Sequence, residues 1–266
     1  MSRSYYYIVS GLPDIGFDDS KAAQTIDQFR TEVFAALSGS DRKVMDLILL
    51  ENECRNLIGS ERMEQFIADV KTGETSDKDV PAFIYTFVQE WVDDSWRQKA
   101  AFAVDRLWSL FYEYAMGCSN GFVSKWYEFN LDVNNILAAL TARKYNLDIQ
   151  KVIVGSNDTA HALRTSGARD WGLSQELDYF DDIVRLVEED DLSQRERKAD
   201  MLRWRWLEDN SFFNYFTVEK LFSYMVRLEM VERWSSLDRE AGQKLFRKLI
   251  GTLKDQTEVP EEFKIK

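Results

Sequence analysis

The sequence predicts an all-α fold, and three observations carry that expectation. Only 3 of the 266 residues are proline and 12 are glycine, where average usage would give about 13 and about 19. So few breakers do not suit a fold of short strands and turns. Apolar residues recur at helical spacing, as in Val44, Leu47, Ile48, Cys54, Leu57 and Ile58. Aromatic residues make up 14% of the chain, enough to fill a core and to set the 30% of charged residues aside as a sign of disorder.

The elements follow in order. Tyr5 to Val9 is an apolar run that suits either a lone strand or a packed extension, and Gly11-Leu12-Pro13-Asp14 reads as a turn. A helix is expected from Asp19 or Ser20 to Leu37. Ser38-Gly39-Ser40-Asp41 ends it and caps the next, which carries the spacing quoted above. Another follows Ser60, and Lys71 to Pro81 (KTGETSDKDVP) reads as a flexible loop. Helical pattern returns from Ala82 to Met116, with Trp91, Trp96 and Trp108 as large anchors, and breaks at Gly117 to Gly121. A long helix is expected from Val123 to Lys144. The polar stretch 155–172 reads as a loop with at most a short helix. Helices are then expected over Gln175–Val187, Ser193–Leu207, Val218–Trp234 and Arg239–Leu253, before an exposed tail.

Composition excludes several function classes. The net charge of −12 opposes a nucleic-acid groove, which needs clustered Lys and Arg against phosphates. It also opposes adhesion to anionic lipid, and leaves a positively charged protein partner open. Cys54 and Cys118 sit in no CxxC or Cys/His cluster and read as buried thiols in a reducing compartment. His161 is the single histidine, so the usual imidazole set of a catalytic zinc site is missing. The start has no signal-peptide pattern. The stretch nearest to a membrane span, Leu107 to Ser124, is interrupted by Glu113, Gly117 and Asn120. No cofactor is expected.

Three segments echo one another. Leu50-Glu51-Asn52-Glu53-Cys54-Arg55-Asn56-Leu57 and Phe129-Asn130-Leu131-Asp132-Val133-Asn134-Asn135-Ile136 share an acidic residue, an Asn three later and then an aliphatic residue. Leu228-Glu229-Met230-Val231-Glu232-Arg233-Trp234 is a weaker third copy. Glu53 and Asn56, Asp132 and Asn135, and Glu229 and Glu232 each share a helical face beside an apolar stripe. A carboxylate there suits a neighbouring helix terminus or an Arg, so these pairs are expected to tie helices together. The offsets differ, 79 residues from Glu51 to Asn130 and 99 from Asn130 to Glu229, which argues against a solenoid.

These segments carry a resemblance. ENECRNL, from Glu51, resembles the helix motif of the C-subunit family of archaeal and bacterial V/A-type ATPases, whose eukaryotic counterpart is the d-subunit. FNLDVNNILAALTARKYNLDIQKVIVG, from Phe129, resembles the second copy of that motif, and FTVEKLFSYMVRLEMVERW, from Phe216, the third. The start YYYIVSGLP and the chain length are similar to a short bacterial family encoded among V-type ATPase genes. The resemblance implies a single helical domain over 1–266, with pseudo-repeats near 14–80, 81–172 and 173–253 and a tail at 254–266. It implies a non-catalytic part of the ATPase, cytoplasmic and peripheral on the inner face of the membrane, that couples the central-stalk subunits to the membrane rotor ring in proton or sodium transport. The chain departs from the pattern: Asn130 stands where the first copy has Glu51, and Trp234 where it has Asn56.

Other motifs admit sharper readings. Asp178 and Asp182 are four apart, the spacing with which helical prenyl-transfer enzymes hold Mg²⁺, but a facing carboxylate motif and phosphate-binding cations are needed too. Asp14 and Asp18 share that spacing in a turn. Arg203-Trp204-Arg205-Trp206 mixes basic and aromatic residues and suits cation–π packing, a protein interface or, against the acidic background, nucleic-acid stacking. Lys43, Arg55 and Arg62 suggest a basic face. No phosphate-loop fingerprint and no hydrolase triad are present. A Mg²⁺-dependent prenyl-transfer enzyme and a generic helical adaptor are the alternatives to the coupling role.

Overall fold

The computed structural model describes residues 5–73, 80–93 and 100–256, the side chains of 100–101 and 239–256 excepted. The described chain is all-helical, with eleven α-helices and no strand. They are α1 Tyr6–Gly11, α2 Ile26–Phe34, α3 Gly39–Leu57, α4 Glu61–Thr72, α5 Ala82–Asp93 and α6 Ala100–Met116. There follow α7 Gly121–Lys144, α8 Asp158–Thr165, α9 Phe180–Glu188, α10 Leu192–Ser211 and α11 Val218–Gln256.

Local chemistry sets where helices start. The side chains of Ser38, Ser60, Asn120, Asn157 and Asp191 each accept a backbone N–H of the first turn of α3, α4, α7, α8 and α10. At α2 the start falls later than Asp19, because Thr25 and Gln28 form a reciprocal capping box and Asp19 instead accepts the Gly16 N–H at 2.7 Å. Tyr5 to Val9 pairs with no strand; from Tyr6 onward it belongs to α1. Tyr5 anchors it, its N–H donating to Phe216 O at 2.7 Å and its hydroxyl to Asp41.

Two other boundaries differ from expectation. The helix expected from Gln175 starts at Phe180, after a 3₁₀ turn at Leu173–Gln175. The two last helices are one continuous α11, because Ser235-Ser236-Leu237-Asp238 contains neither Gly nor Pro to stop it. Trp96, residues 74–79 of the expected loop and residues 257–266 of the expected tail lie outside the described residues.

α3, α7 and α11 begin at the same end of the molecule. Tyr5 links Asp41 of α3 to Phe216, just before α11. Asn120, the cap of α7, donates to Glu219 in the first turn of α11 at 2.8 Å. Further along, Asn52 of α3 donates to Glu229 of α11 at 2.9 Å, so these two helices run in parallel. Aromatic rings close the space near the starts: Phe222 meets both Phe122 and Tyr127 edge-on. The longest interior helix, α7, packs against α6, α8, α9, α10 and α11.

α7 is pinned on its far side by two buried polar residues, Asp132 and Asn135. Asp132 accepts from Asn157 Nδ2 at 2.8 Å and from the Tyr179 hydroxyl at 2.9 Å, joining the start of α8 and the approach to α9. Asn135 pairs with both backbone groups of Val154, at 2.8 and 2.9 Å. The turn between these contacts needs Gly155, whose φ is +76° and whose missing Cβ would lie 3.0 Å from Leu131 Cδ2.

Asp132→Ala removes a buried acceptor shared by two half-buried donors. It should cost about 2–3 kcal/mol and lower the melting temperature by roughly 4–10 °C. Thermal denaturation followed by circular dichroism checks this, and an unchanged midpoint would refute the pin.

Candidate functional site

Halfway along α3, α7 and α11 the packing opens into a cavity of about 780 Å³. Glu51, Asn52 and Arg55 face it from α3, Asn130 and Asn134 from α7, and Glu229, Glu232 and Arg233 from α11. α6 adds Trp108 and Tyr112, and α10 adds Asp200 and Arg203. Past Arg203 a second hollow of about 370 Å³ shares part of this lining.

The charged groups are arranged in an ordered way. Arg203 donates from Nε to Asn130 Oδ1 at 2.9 Å and from Nη2 to Asn134 Oδ1 at 2.8 Å. Its other nitrogen faces Asp200 at 3.5 Å. Asp200, almost wholly buried, also accepts from Arg233 and from Trp234 Nε1. Arg55 pairs with Glu51 at 2.6 Å. Asn134 donates to the Tyr112 hydroxyl at 3.0 Å. Glu232 accepts the Ile26 N–H at 2.9 Å and so caps α2 from α11.

Glu229 stands apart. Burial pushes its carboxyl up to about 7; the Asn52 hydrogen bond pulls it down, Glu51 pushes it up, and Arg55 and Arg233 pull it down. Among the described residues no cation pairs with it directly. Burial likewise raises the Tyr112 phenol, and Glu51 adds to that.

The residues singled out in the sequence divide into several environments. Glu51, Glu229, Glu232 and Arg203 meet at the cavity, and Asn135 borders it while holding Val154. Glu53 turns away to pair with Arg62 at 3.0 Å. Asn56 is exposed and bonds back to Asn52 O of its own helix at 3.3 Å. It therefore ties no helices, and although it stands 79 residues before Asn135 its environment differs, since Asn135 is buried. The run from Arg203 to Trp206 forms no single surface, because each step turns about 100° around the helix. Trp204 is buried beneath Arg227 and against Phe17, Arg205 is exposed, and Trp206 stacks on Phe129. The expected basic face is neutralised where Arg55 and Arg62 pair with Glu51 and Glu53; Lys43 is exposed.

Asp178 precedes α9, so it shares no helical face with Asp182, which pairs with Arg185 at 3.0 Å. Among the described residues no group of three or more His, Cys, Asp and Glu side chains could hold a metal ion. His161 is exposed and Cys54 is buried. Asn52, Tyr112, Asp200 and Arg233 belong to the site although the pattern did not mark them. Their signal was faint: Asn52 adjoins Glu51, and Asp200 lies three residues before Arg203.

The chain belongs to the family described as "Protein of unknown function (DUF2764)", whose model matches residues 1–257. No curated protein and no solved structure matches it. Family membership thus spans every helix that lines the cavity.

A carboxyl raised from its ordinary 4.5 to about 7 favours the fold while protonated. That contribution is complete below about pH 4.5 and is lost as pH rises through 7. Glu229→Gln should therefore raise the melting temperature at pH 8 and flatten its decline between pH 4.5 and pH 7. A thermal-shift series over that range checks the sign.

Proposed function

We propose that the protein is a non-catalytic coupling component of a V/A-type ATPase, similar to the C-subunit family, and that the cavity is its socket for the central stalk. The observation that carries this reading is registration. Glu51, Asn130 and Glu229, which stand at matching places in the three echoing segments, all line one cavity. Arg55, Asn134 and Arg233 line it as well, and 79 and then 99 residues separate the members of both sets. Asp41 and Glu219, in the first turns of α3 and α11, stand at the same spacing from Asn120, the cap of α7. Such coincidence supports three diverged repeats set about a central opening, the architecture that the resemblance implies.

The outer surface suits a part with more than one neighbour. At the end where α11 begins, Tyr7 is 91% and Phe213 90% exposed, beside exposed Tyr6, Phe212 and Tyr215. Tyr6 and Phe216 rings lie 4.7 Å apart, joining the α1 and α11 ends of this patch. Exposed aromatic clusters are characteristic of protein interfaces. No described helix is long and apolar enough to cross a membrane, so contact with the ring would be made through the ring's own loops.

Reconstitution from purified components tests the reading. Without this protein the soluble head should hydrolyse ATP but move no ions, and adding it back should restore coupling. The isolated protein should hydrolyse no ATP and should bind the stalk subunits, more weakly as salt rises. Coupled transport without it, or turnover of a small molecule by it alone, would overturn the proposal.

A further inference from the structure

We infer that the cavity is a site for one organic cation, a primary ammonium or guanidinium group, seated between Glu229 and Glu51 beside Trp108 and Tyr112. As a statement about the occupant it rests on the socket reading above: the cation is a Lys or Arg side chain of the docking stalk.

The first argument is charge. Five carboxylates, Glu51, Glu196, Asp200, Glu229 and Glu232, line the cavity against three guanidinium groups. Those guanidinium groups are already engaged. Arg55 is held by Glu51, Arg203 by Asn130, Asn134 and Asp200, and Arg233 by Asp200. Among the described residues Glu229 receives only the amide of Asn52. A further anion would meet an acidic wall, whereas a cation would find a carboxylate that no cation pairs directly.

The second argument is the rest of the wall. Trp108, Tyr112 and Trp126 line the same cavity, and aromatic faces attract ammonium and guanidinium groups when water is excluded.

Seating a cation beside Glu229 favours its ionised form, so binding displaces a proton. The groups that face Glu229 set the sign. Glu51 opposes ionisation, while Arg55 and Arg233 favour it. Tyr112 stays neutral, Glu232 caps Ile26, and Arg203 and Asp200, neighbours on α10, compensate one another. From a starting value of about 7, affinity should rise about tenfold from pH 6 to pH 8.

The test has two arms. In the first, the isolated protein is titrated with n-butylammonium or with neutral n-butanol while the indole N–H signals of Trp108 and Trp126 are followed by NMR. The ammonium should shift both signals, butanol should not, and Glu229→Gln should abolish the response while keeping the Asn52 hydrogen bond. In the second, purified stalk subunits bind the wild-type protein about tenfold more tightly at pH 8 than at pH 6. Glu229→Gln should weaken binding at pH 8 at least tenfold and remove the pH dependence, whereas Glu53→Gln, outside the cavity, should bind as wild type. Equal responses to the ammonium and butanol would overturn the cation site. Stalk subunits that bind Glu229→Gln as tightly as wild type would overturn the assigned occupant. Stalk subunits that fail to bind wild type, with the ammonium still shifting both indoles, would overturn the socket reading and its occupant but not the cavity's chemistry.

Discussion

The structure turns on a belt of polar side chains placed halfway along three long helices that would otherwise pack dry. Carboxylates, amides and guanidinium groups on α3, α7 and α11 face one another where a helical bundle normally places Leu and Ile. Removing such groups from water costs more than packing them returns unless each is paired. The helices close tightly at their common start, where Phe222, Tyr127 and Phe122 meet. At the belt they stand apart and leave a cavity. The opening is a consequence of residue choice, because neither Glu229 nor Arg203 can be buried against an apolar neighbour.

The same residue types have a different outcome one turn away. Asp132 and Asn135 lie on the α7 face that meets α8 and the Val152–Gly155 segment, and there every partner is supplied. Asn157 and Tyr179 satisfy the carboxylate, and the Val154 backbone satisfies the amide. Asn130 and Asn134 point the other way and are satisfied by Arg203 across the cavity. α7 therefore separates a closed polar pin from an open polar site. A pin fixes geometry, and an open site leaves binding energy to be collected from something else.

The proposed coupling role would need a rigid body with more than one adhesive surface. Capped helix starts, the Asp132 pin and the Asp200 hub with Arg203, Arg233 and Trp234 supply rigidity around the opening. The aromatic end and the charged cavity differ in chemistry, so they suit different neighbours. Aromatic rings offer area at low entropic cost, whereas buried charge offers selectivity.

Much of the fold was legible because helical periodicity and caps are local signals. Ser38, Ser60 and Asn120 start helices wherever apolar spacing follows, and Gly117 to Gly121 breaks one. Local reasoning erred where a signal was weak. The helix expected from Asp19 or Ser20 begins only at Ile26, and the two helices expected over Val218–Trp234 and Arg239–Leu253 are one. The echo among Glu51, Asn130 and Glu229 was visible as spacing, yet spacing could not say which neighbours fill the space between them. By itself the sequence determined the helices, their polar interruptions and the acidic balance, because these depend on residues a few positions apart. Tertiary structure alone decided that Asn52 meets Glu229 across 177 residues, that Asp200 joins Arg203 to Arg233, and that Asn56 faces outward while Asn135 is buried. The physical reason is that desolvation and pairing are set by the helix packed opposite, which a helix's own period does not encode.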